Sequence, residues 1–471
     1  MTRRWTAIQV FLNWGDNMHT FLVALSASLM LGQAHARCSY TVTGRITVDD
    51  QLFSTSATTR NVVGATVVID ASRGTKHPFA RWGTARTNAK GYFRLNKTIR
   101  TFCRQKRRFK VSLKFSNDKV KLETPAFQPR VQPIMQTSMK GTRKGSKWSV
   151  SLGRIHLPYA GYTTEPGRQR HFANRLALLW YAYQIQYDTF KRWGLKPKTI
   201  RTIYPNGPGE TGWADFFSGR SRLNRKWFTH SKRWSRTEAL HEPVHIWWNQ
   251  HLFLPWFLTG RVGNTHELKE SPPLALYEAF AEWVANVLNR DIFRVSLYTD
   301  LERNTRHEIY QIFRDAVHFK PNGKRGRKKV WPDTNKLRRL FKAPTSTFRK
   351  AFWSSEHVVM NYLNILTTSR WYRKAYGTMD ESSVPNEFSA TPCPGVPEQL
   401  FTPDELMRAL LDWHATKRTK VGQRGMDSFM RYLRDTRHGF RPYYKLVLDL
   451  GNPGKTVAPK AACVTLKHKR D

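Results

Sequence analysis

Thr237-Glu238-Ala239-Leu240-His241-Glu242-Pro243-Val244-His245-Ile246-Trp247-Trp248 carries the pattern H-E-x-x-H. Residues four apart share one face of a helix, so His241 and His245 can offer two imidazole nitrogens to one ion. Glu242 sits one residue further round, where its carboxylate can meet a metal-bound water without being a ligand. The plainer alternative is an amphipathic core helix whose histidines are merely hydrogen-bonded. Pro243 complicates either reading, because it removes a backbone N–H and crowds the carbonyl of Ala239, at a cost of about 3 kcal/mol in a helix interior. Ser235-Arg236-Thr237-Glu238 reads as a capping box, which puts Pro243 in the third turn. The helix is therefore expected to start later than the box or to kink at the histidines.

A second stretch, Leu274-Ala275-Leu276-Tyr277-Glu278-Ala279-Phe280-Ala281-Glu282-Trp283-Val284-Ala285, is opened by Ser271-Pro272-Pro273. Prolines suit a first helical turn, and the apolar residues recur at helical spacing. Glu278 and Glu282 are four apart, so one face of an otherwise apolar helix carries two carboxylates. Burying them is costly unless a cation binds. A zinc ion held by Glu278, with Glu282 receiving the spare N–H of a ligating histidine, would offset that cost. A solvent-exposed acidic edge is the alternative.

H-E-x-x-H followed by E-x-x-x-[DE] resembles the gluzincin zinc metallopeptidases, the broad group that includes thermolysin-like enzymes. Glu278-Ala279-Phe280-Ala281-Glu282-Trp283 is close to the E-G-x-A-E-[YF] segment of that group. The resemblance covers residues 171–290. It implies His241, His245 and Glu278 as zinc ligands, Glu242 as general base and Glu282 behind a ligand histidine. In such enzymes a downstream Tyr or His meets the developing oxyanion, which makes His307, Tyr310, His357 and Tyr362 candidates. The implied substrate is a peptide or protein. No subfamily is matched, so substrate sequence does not transfer.

Upstream, Phe21-Leu22-Val23-Ala24-Leu25-Ser26-Ala27-Ser28-Leu29-Met30-Leu31 and Ala34-His35-Ala36 give residues 1–36 the apolar core and small-x-small end of a signal peptide, with Met1 or Met18 as start. The run is short for a membrane span, and no later stretch approaches 18 apolar residues. The mature chain is expected in the periplasm or outside the cell. Cys38, Cys103, Cys393 and Cys463 form an even set suited to two disulfides in an exported protein. Of three pairings, Cys38–Cys103 and Cys393–Cys463 are preferred, because each closes one domain.

Residues 37–125 read as strands around 40–48, 64–69, 84–95 and 109–115. Short alternating strands between turn residues predict a small antiparallel sandwich. Thr84 to Phe93 resembles a segment of the transthyretin-like or carboxypeptidase-regulatory-like domain, which implies a non-catalytic accessory role. Residues 126–170 read as a basic linker with short strands, since Ala126 to Tyr162 contains no Asp or Glu. Residues 171–471 read as a mainly α, α+β zincin-like catalytic domain, with helices at 171–193, 297–318, 348–368, 403–416 and 424–437 besides the two above. The Gly-, Ser- and Trp-rich segment 206–234 suits edge strands near the substrate. The predicted fold class is thus multidomain.

Seventy-nine Lys and Arg against 34 Asp and Glu give a formal charge of +45. Such a surface attracts polyanions with strong salt dependence. In an exported chain those are anionic envelope components, and no motif for specific nucleic-acid recognition is present. Two functions follow: a zinc-dependent peptidase, or a catalytically inactive zincin-like scaffold that binds an envelope or other polyanion.

Overall fold

The computed structural model describes residues 37–73, 76–100, 107–138, 141–159, 169–209, 212–227, 232–252, 272–295, 353–354, 356–367, 400–416 and 425–451. They are a mixture of sheets and helices. The segment 1–36, the expected helix at 297–318, His307, Tyr310, Cys103, Cys393 and Cys463 lie outside them. Among the described residues no helix is long and apolar enough to cross a membrane.

The first sheet is built on β1 (Arg37–Asp50), fourteen residues whose alternation buries Cys38, Tyr40, Val42, Ile46 and Val48, with Thr47 buried as well. β1 pairs in parallel with β10 (Lys147–Leu157), and β10 with β9 (Gly141–Lys144). Its other edge takes β5 (Tyr92–Arg100) and then β2 (Thr58–Asn61), both antiparallel. The second sheet, in the order β4 (Ala80–Arg86), β3 (Thr66–Ser72), β6 (Arg108–Lys114), β8 (Val131–Ser138), is antiparallel throughout. The two sheets meet through Tyr40, whose ring stands edge-on to Trp82 at 5.1 Å, while Trp82 stacks on Phe109 at 4.9 Å. Beside this contact Gly83 packs closely on Leu95: a Cβ there would come within 2.9 Å of a Leu95 methyl, which would have to shift.

The stretch expected to be a linker, 126–170, supplies β8 to the second sheet and β9 and β10 to the first. Exposed Ser149, Ser151 and Arg154 alternate with Val150, Leu152, Ile155 and Leu157, which are buried, so the short strands expected in this stretch are members of the sheets. The expected boundary at residue 125 is crossed as well. β7 (Val120–Glu123) pairs in parallel with β11 (Ile200–Ile203), in a third sheet completed by β13 (Arg220–Leu223) and an edge strand, β12 (Gly212–Asp215). Glu123 locks that sheet: its buried carboxylate accepts from Arg201 Nη2 at 2.8 Å and Arg220 Nε at 2.6 Å.

Helix α1 (Gln169–Arg192) covers the strands, as its apolar spacing predicts. Asn174 Nδ2 donates to the carbonyls of Asp49 and Leu157, and Trp180 Nε1 to that of Val63. Helices α2 (Lys232–Leu252) and α3 (Pro272–Val287) follow, and a π turn, Leu288–Ile292, ends α3. Beyond them come α4 (Glu356–Thr367), α5 (Pro403–Thr416), α6 (Met426–Thr436) and α7 (Tyr444–Gly451). Thr402 and Glu405 form a reciprocal capping box at the start of α5, through bonds of 2.8 and 3.4 Å. Strands and helices share one continuous apolar core.

Removing the Glu123 carboxylate, on the terminal strand of the third sheet, leaves two guanidinium groups without their counter-charge. Glu123→Ala is expected to lower the unfolding free energy by about 2–3 kcal/mol, less than a fully buried pair because Arg201 is partly exposed. Urea denaturation measures it, and an unchanged midpoint would remove this role.

Candidate metal centre

The helix bearing the two histidines begins at Lys232, before the capping box expected at Ser235. Both box side chains are used elsewhere. Ser235 Oγ donates to the buried carbonyl of Trp227 at 2.9 Å, and Glu238 Oε1 accepts from the Gly212 N–H of β12. Pro243 therefore lies deep inside α2, and the helix runs on through it to Leu252. Tertiary bonds brace this region. Gln186 of α1 donates to the Leu240 carbonyl at 2.9 Å, next to the Ala239 carbonyl that a proline cannot satisfy. Arg236 Nη1 reaches the Leu52 carbonyl at 2.9 Å, tying the start of α2 to the first sheet's connecting loop.

Helices α2 and α3 pack through aromatic rings: Trp248 stands edge-on to Tyr277 at 5.8 Å and to Phe280 at 4.8 Å. That packing turns His241 and His245 toward Glu278. Their ligand atoms lie within 4.8 Å of one another, and all three residues are buried. The group could hold a metal ion. His241 Nε2 is 3.4 Å and His245 Nε2 3.2 Å from Glu278 Oε2. Donors about 2.0–2.1 Å from a tetrahedral ion stand about 3.3 Å apart, so both spacings fit. The two ring nitrogens, 2.7 Å apart, are at hydrogen-bond distance.

The other expected residues divide. Glu282 Oε2 lies 3.3 Å from His241 Nδ1, on the opposite side of the ring from Glu278. Glu242 is buried, and β12 closes over it: a Cβ on Gly212 would stand 3.4 Å from Glu242 Cγ. Tyr362 lies on α4. Its hydroxyl donates to the Leu448 carbonyl at 3.1 Å and its ring packs on Trp353 at 5.1 Å, which are structural contacts. His357 falls in α4, but its side chain, like His307 and Tyr310, is outside the described residues.

The electrostatics are set by carboxylates in a dry site. Burial pulls the His241 pKa down, but hydrogen bonding to Glu278 and Glu282 and the charge of Glu242 outweigh it, leaving His241 well above an ordinary imidazole. Burial dominates at His245, where Glu278 opposes it and His241 adds to it, and the value falls. The two rings are thus driven in opposite directions, His241 toward its charged form and His245 toward its neutral one. Tyr277 stacks on His245 at 4.1 Å, and burial with the charges of Glu278 and Glu242 pushes its hydroxyl well above 10. Asn249 Nδ2 donates to that hydroxyl at 3.3 Å.

Three neighbours were not legible beforehand. Tyr277 adjoins Glu278 but has no motif of its own. Glu238 resembles a cap residue. Glu356, buried at the start of α4, adds a negative charge that acts on His245. No sequence spacing links it to the histidines, since α4 reaches the site only by packing along α3, where Trp283 Nε1 donates to Thr367 Oγ1 at 3.0 Å.

No family model and no curated protein matches the chain. Among solved structures it is similar to the major plantain pollen allergen Pla l 1, at 14% identity over 28% of this chain and 99% of the allergen, with a TM-score of 0.17. It is also similar to a 9R-lipoxygenase from Cyanothece, at 11% identity over 39% of this chain and 30% of that one, again with a TM-score of 0.17. At those TM-scores neither likeness bears on fold or function.

Two outcomes test the centre. Because a metal must displace the proton held on His241, affinity is expected to strengthen as pH rises above 6.5, with a proton released on binding. Calorimetric titration of a divalent cation in buffers of different ionisation enthalpy reads both. Glu282→Gln is expected to weaken the metal about 10–100-fold by loosening the His241 ring, as measured by chelator competition.

Proposed function

We propose that the chain is an exported zinc-dependent peptidase whose metal is held by His241, His245 and Glu278. One observation carries this reading: two imidazoles from α2 and a carboxylate from α3 converge, with Glu242 beside them on α2. Two nitrogens and one oxygen suit zinc, and three protein ligands leave a fourth position open. Bound there, zinc would acidify a water and polarise the carbonyl of a peptide bond. Glu242 would be the base that takes that water's proton and the acid that hands it on to the leaving amine. Glu282 holds the His241 ring in the tautomer that presents Nε2.

The edge strand β12 supports a peptide substrate. It lies along Glu242 at one side of the third sheet, where an extended chain can add to it. Trp213 and Phe217, exposed on and beside that strand, give such a chain an apolar contact. The N-terminal strands serve as an accessory sandwich and the helical part as a zincin-like domain. Cys38 is disulfide-bonded, and the β1–β5 ladder sets Arg37 opposite Arg100, three residues before Cys103. That supports Cys38–Cys103, with Cys393–Cys463 as the second bridge. Residues 1–36 direct export.

The charge of +45 favours a second reading, an inactive zincin-like scaffold that binds an anionic envelope component. One substitution separates the two. Glu242→Gln is expected to keep one zinc per chain and to lower hydrolysis of an unfolded protein substrate by at least about 100-fold. A wild-type chain that holds zinc yet cleaves no better than this variant would leave the scaffold reading standing.

A further inference from the structure

The outward face of the first sheet takes no part in the metal centre. Alternation along β1 sets Ser39, Thr41, Thr43 and Arg45 on it. Across the ladders these meet Thr98, Asn96, Arg94 and Tyr92 of β5 on one side and Lys147, Ser149, Ser151 and Arg154 of β10 on the other. Hydroxyl and amide groups form its middle: Ser39 Oγ lies 3.2 Å from Thr98 Oγ1, and Thr41 Oγ1 donates to Asn96 Oδ1 at 3.0 Å.

A bulge places one of the cations. Between Thr43 and Arg45 the register with β10 slips by one residue, at Gly153, whose φ is +63°. Without that extra residue the alternation would turn Arg154 inward and Ile155 outward; with it, Arg154 is exposed and Ile155 is buried. Arg154 therefore stands opposite Arg45, and Arg94 is one row away on β5. Strand spacing puts the three attachment points within about 5–8 Å of their neighbours.

Each of these guanidinium groups is positioned by a neutral partner. Arg45 Nη2 donates to Asn61 Oδ1 at 3.0 Å and its carbon lies 5.3 Å from the Tyr92 ring centre; Arg154 Nε donates to Thr47 Oγ1 at 3.0 Å; Arg94 Nε donates to Asn96 Oδ1 at 3.4 Å. None has an acidic partner among the described residues. The face's carboxylate, Asp49, is already paired with His156 at 3.1 Å. Three oriented, uncompensated cations beside rows of hydroxyls match a ligand that carries both anionic groups and hydroxyls.

We propose that this face binds an acidic polysaccharide, with Arg45, Arg94 and Arg154 taking its carboxylate or sulfate groups and the Ser, Thr and Asn rows its hydroxyls. Guanidinium suits planar anions through paired N–H bonds. A single-stranded nucleic acid is the less favoured partner, because stacking needs a row of open aromatic faces, whereas the rows here are hydroxyls and amides and the exposed ring, Tyr92, already has Arg45 over one side.

The test uses the full chain and polygalacturonate, with dextran as the neutral polymer and a single-stranded oligonucleotide as competitor. Arg45→Ser/Arg94→Ser/Arg154→Ser is expected to weaken polygalacturonate binding about tenfold. A control, Arg408→Ser/Arg431→Ser/Arg434→Ser, removes the same charge from exposed positions on α5 and α6 and is expected to change it less than about twofold. Lys144→Ser/Lys147→Ser reads the same face from its other end, with an expected loss of about threefold, and serves if the first variant does not fold. Glu242→Gln should bind as wild type does, since this face is independent of the metal centre. Equal losses in face and control variants, dextran binding as tight as polygalacturonate, or an oligonucleotide that binds more tightly at equal charge would each overturn the proposal.

Discussion

Carboxylates gathered around two imidazoles, out of reach of bulk water, are the constraint on which the helical part of this protein depends. Glu242 and Glu278 are buried with His241 and His245, and Glu356 is buried at the start of α4. Charges taken out of water cost several kcal/mol each unless something positive accompanies them. In the protein alone these carboxylates favour a proton on His241, and its pKa is raised although burial alone would lower it. A dication would supply more positive charge. The aromatic packing of Trp248, Tyr277 and Phe280 keeps the helices close enough that the acidic groups cannot move apart.

Positioning reaches well beyond the two helices. α2 is held at Arg236 by the loop after β1, at Glu238 by β12 and at Leu240 by α1. These three attachments fall on five consecutive residues immediately before His241. They bear on Pro243 too. A proline in mid-helix is costly because it leaves a carbonyl unsatisfied and crowds the turn before it, and fixing that preceding turn from three sides restricts where the distortion can go. The strands expected to form an accessory unit are, in this respect, part of the scaffold for the site.

The same strands have a second surface. One face of the first sheet closes the core against Trp82 and Phe109, and the other is a polar field in which a single bulge decides where an arginine points. Core and surface are coupled by the two-residue period of the strand: keeping Ile155 buried and Arg154 exposed after Ser151 requires one extra residue. Glycine at 153 supplies it, because its φ of +63° suits a residue without a side chain.

By itself the sequence determined what is local. The spacing of His241 and His245, the Glu278–Glu282 pair, the helix at α1, the capped start of α5 and the alternation in β1 all follow from periods of 3.6 and 2, which hold wherever the chain folds. Tertiary structure decided what depends on partners distant in the chain. Ser235 and Glu238 spell a capping box, yet their side chains bond to Trp227 and Gly212: the Trp227 carbonyl is buried and has no water to bond, and the Gly212 N–H is half-buried on β12. A basic, Gly-containing stretch reads as a linker with short strands, but nothing local says that β10 pairs in parallel with β1, where its alternate residues are buried. Glu356 and Tyr277 reach the site through helix packing, and no spacing within one segment encodes a meeting between segments.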